Sequence, residues 1–163
     1  MLRYINQTTT YITIAFLLLC SVISHAHAQQ GIRVKQATVK ITPPSIENSA
    51  AYFYVMNDSD EERILVNAKS DAAKRVEIHK HSAENGMMRM HKVEKIFIPA
   101  GGITEFKPGG YHIMLIGVNQ PIAANDIINI TLIFANGETK TIAAKAIAKA
   151  EAGKHHQHSH NHH

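Results

Sequence analysis

The sequence predicts an all-β domain, and three observations carry that reading. Between Ile32 and Ala148, short runs rich in β-branched and aromatic residues alternate with turn chemistry. No apolar pattern of helical period runs for a useful length there. Asn-Gly stands twice between β-rich runs, at 85–86 and 136–137, a hairpin signal because both residues tolerate positive φ. With 163 residues, 45% hydrophobic and 18% charged, the chain has the size and apolar fraction of one folded domain.

The elements follow in chain order. Ile12 to Ile23 is an apolar run preceded by Arg3 and followed by Ser24-His25-Ala26-His27-Ala28. That is the layout of a secretory signal peptide cut after Ala28, since a bilayer span needs about 20 apolar residues. Residues 1–28 are therefore expected to be a cleaved leader, with export to the periplasm and no membrane insertion of the mature chain. Cys20 follows Leu19, where a lipoprotein signal carries a small residue, so it reads as apolar filler.

Residues 29–150 form the expected β domain. Candidate strands are 32–41, 50–56, 63–68, 75–80, 87–93, 103–106, 112–118, 127–134 and 139–147. Pro43-Pro44, the run Asn57-Asp58-Ser59-Asp60, Gly101-Gly102 and Pro108-Gly109-Gly110 separate them. Ile128, Ile130, Leu132 and Phe134 alternate onto one face. Ala143-Ala144-Lys145-Ala146 is compatible with a helix start, but strand fits the preceding alternation better. Two packed antiparallel sheets or a barrel satisfy this pattern. Residues 151–163 end in a stretch with six His among nine residues and nothing to bury, a tail expected to be disordered.

Several function classes drop out. Cys20 is the single cysteine and lies in the leader, so the mature chain has no disulfide, thiol nucleophile or thiolate metal site. The net charge of +4 is spread without an aromatic-interleaved basic face, which argues against nucleic acid as a partner. No Gly-x-Ser-x-Gly elbow, phosphate-cradling Gly loop or His-Glu-x-x-His helix occurs, and Glu77 and Asp126 read as ordinary solvated acids, so the chain is not expected to be an enzyme.

What remains is a concentration of His and Met between Glu77 and Met114. Of the five methionines beyond the leader, four fall there, whereas core filler would be spread more evenly. His112 and Met114 are two apart, so on a strand both side chains leave from one face. An imidazole and a thioether together form a soft, neutral donor pair suited to Cu(I). His79 and Met90 can complete the set, with the spacing His79-x10-Met90-x21-His112-x-Met114.

In that spacing the sequence resembles the periplasmic copper chaperones of the PCuAC family, whose motif is His, ten residues, Met, twenty-one residues, His-x-Met. The words around it are similar too: Val76-Glu77-Ile78-His79, Pro99-Ala100-Gly101-Gly102, the run from Phe106 to Leu115, and Leu132-Ile133-Phe134 ahead of Asn136-Gly137. The resemblance covers about residues 32–147. It implies a cupredoxin-like antiparallel β-sandwich of Greek-key type, one Cu(I) held by His79, Met90, His112 and Met114, and delivery to a copper-receiving protein. That recipient would be a cytochrome c oxidase subunit, at its copper-A site, or another copper carrier. A blue-copper electron-transfer site needs a Cys thiolate that the mature chain lacks. The carrier is expected to act as a monomer.

Taken singly, a strand His is usually a surface residue and a Met usually core; only the joint pattern favours ligation. By alternation His81 shares a face with His79, and Met88 with Met90, as spare donors that the family pattern does not use. His91 should point away, Met56 and Met87 should pack or face solvent, and Tyr111 with the glycines before it should shape the loop. His155, His156, His158, His160, His162 and His163 form a separate expected site for Cu(II) or Zn, which supports an alternative function in copper or zinc buffering and scavenging.

Overall fold

The structure is a computed structural model that describes residues 31–84 and 86–148. The expected leader, 1–28, and the His-rich tail lie outside the described residues. The described part is all-β, as the turn spacing predicts. Its ten strands are β1 (Ile32–Lys40), β2 (Asn48–Asn57), β3 (Arg63–Lys69), β4 (Ala73–Glu84), β5 (Met87–Lys92), β6 (Ile96–Ile98), β7 (Ile103–Phe106), β8 (Tyr111–Val118), β9 (Ile127–Phe134) and β10 (Thr139–Ile147). The segment 143–146 belongs to β10, so the helical alternative is not taken.

The strands form one hydrogen-bonded ladder in the order β5-β4-β8-β7-β2-β1-β10-β9-β3-β6. Both halves turn their apolar faces to one core. Phe53, Ile78, Phe106, Ile113 and Leu115 come from one half, Leu65, Ile98, Ile130, Leu132 and Phe134 from the other. This is the packing of a β-sandwich. Phe53 and Phe106 stack with ring centroids 4.4 Å apart, and burying one such ring stabilises by about 1.5–3 kcal/mol.

Pairing is antiparallel except at two places. β1 runs parallel to β10 from Thr38 to Lys40, and β7 meets β8 in parallel at Phe106 and Tyr111 alone. In β1 the register with β2 shifts between Lys35 and Thr38, where Gln36 takes a φ of 53°. Such a bulge bends the strand, which lets β1 lie against β2 along its length and join β10 at its end.

β2 is likewise shared. Its first half pairs with β8, Ala51 opposite Ile113, and its second half with β7, Phe53 opposite Phe106. The chain passes from β7 to β8 through residues 107–110, where the Gly110 N–H donates to the Lys107 carbonyl at 3.0 Å. Pro108 and Gly109 occupy the two central positions, and the Gly109 φ of 79° is the positive value that a type II turn demands there. β4 and β5 form a hairpin across positions 85–86, with Glu84 opposite Met87.

Candidate metal site

Register decides which side chains share a face. On β4 and β8, Ile78, Ile113 and Leu115 point into the core. The opposite face therefore carries Glu77, His79 and His81 from β4, and His112 and Met114 from β8. His79 stands directly opposite His112, and Glu77 opposite Met114. β5 adds Met90 opposite His81 and Lys92 opposite His79. All four sequence-predicted donors thus lie on one face of three neighbouring strands.

His112 is the anchor of the group, 2% exposed although it sits on the outer face. Its Nδ1 lies 3.1 Å from the Gly110 carbonyl. A carbonyl can only accept, so Nδ1 carries the proton, and the neutral ring presents a bare lone pair at Nε2. Burial, first of all, and the neighbouring His81 and His79 hold the His112 pKa below its ordinary value, although the Gly110 hydrogen bond acts the other way. Nε2 is 3.3 Å from the Met90 sulfur. Two lone-pair donors face each other there with no proton between them, an arrangement that a cation completes.

His79 is oriented in the same manner. Its Nε2 lies 2.9 Å from Glu77 Oε2, and a carboxylate also only accepts, so the free lone pair is on Nδ1. That atom is buried and has no hydrogen-bond partner. The His79 and His112 ring centroids are 5.8 Å apart. Glu77 is held below the ordinary carboxylate range, chiefly by the His79 hydrogen bond and then by Lys92 and Arg75, against an opposing effect of burial. Glu77 is therefore not the ordinary solvated acid that its sequence context suggests. It forms the outer member of a carboxylate–imidazole pair of the kind that fixes metal-binding histidines. Asp126 does behave as expected, its Oδ2 accepting from the Ala123 N–H of its own turn at 2.8 Å.

Met114 is half-buried two residues beyond His112, beside Ala50 of β2. Tyr52, also on β2, places its ring 6.4 Å from that of His112. Met90 is 46% exposed, so one donor of the group faces solvent while His112 does not. His81 is closer to the group than alternation alone indicates, its ring stacked on His112 at 4.9 Å. Met88 is on the same face but 61% exposed. His91 lies opposite Lys80, on the other face, as expected. Tyr111 is held under Lys80, whose Nζ lies 5.1 Å from the ring centre.

Among the described residues, no three His, Cys, Asp or Glu side chains are grouped to hold an ion by themselves. An ion held on this face by the described residues would therefore need methionine sulfur beside the imidazoles. Such a neutral, mixed set suits a soft monovalent ion and suits Mg²⁺ or Ca²⁺ poorly. Among the described residues no helix is long and apolar enough to cross a membrane.

Residues 32–146 match the family described as "Putative lipoprotein LpqE-like". The chain is 34% identical over 148 residues to a putative lipoprotein, Lxx21020, of Leifsonia xyli subsp. xyli (strain CTCB07), covering 86% of this chain and 88% of that one. Among solved structures it is similar to CuI-DR1885 from Deinococcus radiodurans, with 32% identity, a TM-score of 0.62, and 83% and 89% of the two chains covered. It has the fold of the copper-bound PCuAC domain from PmoF2, with 21% identity, a TM-score of 0.62, and 76% and 98% covered.

Proposed function

The chain belongs to the LpqE-like family, with the fold of a PCuAC domain, and from that premise we propose that it is a periplasmic copper chaperone. It binds one Cu(I) through His79, Met90, His112 and Met114 and hands it to a copper-receiving protein, the copper-A site of cytochrome c oxidase being the destination the family resemblance favours. The observation that carries the reading is the pairing of the bare His112 Nε2 with the Met90 sulfur at 3.3 Å. The names of two similar structures, one holding Cu(I) and one described as copper-bound, support copper as the cargo. Membership of a family of putative lipoproteins agrees with export.

Each chain residue has a defined task in this reading. The Gly110 carbonyl and Glu77 hold the two imidazoles in the tautomers that aim Nε2 of His112 and Nδ1 of His79 at the ion. The thioethers complete the set without adding charge, so the ion keeps its single positive charge and makes no thiolate bond that must later break. A recipient offering Cys thiolate then draws it off by ligand exchange. The protein acts as a carrier, not as an enzyme.

An anaerobic Cu(I) competition titration of the mature full chain, beside a Met90→Leu/Met114→Leu variant, tests this. One tight equivalent that the variant loses is expected. Tight Cu(I) binding that survives both substitutions would move the function to the His-rich tail and its buffering role. Incubating the loaded protein with an apo copper-A domain then tests delivery, read as appearance of the assembled centre.

A further inference from the structure

Three buried side-chain nitrogens among the described residues lack a hydrogen-bond partner: Arg63 Nε, His79 Nδ1 and His81 Nδ1. Arg63 Nε faces Glu138 Oε2 at 3.4 Å in an ion pair, and His79 Nδ1 is a donor of the proposed site. His81 Nδ1 is unused. A ring nitrogen kept from water without a partner is costly, and such groups mark places where a ligand is taken up.

His81 is built into the site rather than draped beside it. Its backbone N–H donates at 3.1 Å to the Gly110 carbonyl, the same oxygen that orients His112. Its ring lies 24° from parallel to the His112 ring. Its register partner is Met90, the most exposed of the four proposed donors. Three imidazoles do not converge in this arrangement, so His81 is not a resident third nitrogen. Across the β4–β5 ladder it stands directly opposite Met90, so it is the histidine beside the donor whose loss it would make good.

Resting on the copper-carrier reading, we infer that His81 is the reserve donor of the site. When the exposed Met90 thioether releases the ion, the Cu–S bond to Met90 breaks and a Cu–N bond to His81 Nδ1 forms. No electron moves, and the step uses the neutral His81 tautomer whose proton is on Nε2, so that Nδ1 offers a lone pair and no proton has to leave. With His79, His112 and Met114 still bound, the ion keeps four protein donors rather than falling to three, and it stays on the sheet until a recipient's ligand displaces one of them.

The test uses the full-length mature chain, ¹⁵N-labelled, with one equivalent of Cu(I) under anaerobic conditions. Histidine ring nitrogens are followed by long-range ¹H–¹⁵N correlation, with His81 assigned from a His81→Phe spectrum. In the wild type, His79 Nδ1 and His112 Nε2 should move on loading; in Met90→Leu, His81 Nδ1 should move with them. Met90→Leu should weaken Cu(I) binding about tenfold, and Met90→Leu/His81→Phe by about a further tenfold or more, on the scale of losing one donor each. A His81 Nδ1 resonance that stays put in Met90→Leu, or a double variant no weaker than Met90→Leu, overturns the inference. If neither His79 nor His112 moves in the wild type, the copper-carrier reading has failed instead, and the inference falls with it.

Discussion

His112 Nε2 and Met90 Sδ lie 3.3 Å apart, yet one belongs to a side chain 2% exposed and the other to one 46% exposed. In the proposed site the two would therefore have unequal parts in taking up and losing an ion. His112 is fixed by a backbone carbonyl and packed on all sides, while Met90 is on β5, a strand whose six residues are all exposed. Replacing His112 by Leu should abolish tight Cu(I) binding, with a loss on the order of a hundredfold or more, whereas Met90→Leu should cost about tenfold, 1.4 kcal/mol. Paired Cu(I) competition titrations check the order. A larger loss at Met90 than at His112 would mean that the buried imidazole is a core residue and not the anchor.

Glu77 bears on the proposed copper site through His79, whose Nε2 lies 2.9 Å from its carboxylate. Glu77→Gln keeps the shape but offers the His79 ring an amide in place of a carboxylate, so tautomer and orientation are less firmly held. Cu(I) affinity should fall about tenfold, the size typical of outer-shell changes, while Glu77→Asp should recover part of the loss. The histidine ring spectrum distinguishes this from a general loosening: the Nε2–H tautomer of His79 should weaken in Glu77→Gln and that of His112 should not.

The acid side of the stability profile follows from His112. Its folded pKa is below the ordinary value of 6.5, chiefly because the ring is buried. As pH falls below about 6.5, the unfolded chain takes up a proton that the folded chain refuses, so the unfolded state binds more protons and stability declines. The decline continues until the pH reaches the lower folded pKa. Thermal unfolding of the copper-free protein between pH 7.5 and pH 5 should therefore show a falling melting temperature, with a shallower slope in His112→Leu. Parallel slopes in the two proteins would show that His112 titrates as freely folded as unfolded.

The sequence reveals the proposed donors more readily than the groups that would support them. His112 and Met114, and likewise His79 and His81, are two apart on strands, and alternation alone puts each pair on one face. The hairpin between β4 and β5 is marked by the turn at 85–86, which brings Met90 across from β4. β6 escapes notice because Ile96–Ile98 is three residues long between Lys95 and Pro99, and exists by pairing with β3. β4 runs through Glu84, beyond the expected Lys80, because its hairpin with β5 extends it, and this carries His81 into the strand. Glu77 is two residues before His79, a same-face spacing that was available as a signal, but a lone strand carboxylate is commonly solvated and nothing local marks it as paired. The Gly110 carbonyl is a main-chain group, invisible to any reading of side-chain types. The parallel contact of β1 with β10 depends on a bulge at Gln36 that has no Gly to announce it.

The turn at 107–110 joins stability to the site, and two glycines separate the contributions. Gly109 has a φ of 79° and Gly137 one of 86°, a region where an L side chain costs about 1–2 kcal/mol. Nothing lies within 4 Å of a Cβ added at either position, so strain of the backbone is the whole effect. Gly109→Ala and Gly137→Ala should then lower the melting temperature to a similar extent. They should differ in copper binding. Gly109 immediately precedes Gly110, whose carbonyl holds the His112 Nδ1 proton and the His81 N–H, so a shift in that peptide plane misdirects the His112 lone pair. Gly137 sits in the β9–β10 hairpin, on strands that supply no donor. Cu(I) affinity should therefore drop severalfold in Gly109→Ala and stay at the wild-type value in Gly137→Ala. Equal affinities in the two variants would mean that the turn only closes the chain between β7 and β8 and leaves the imidazole to find its own orientation.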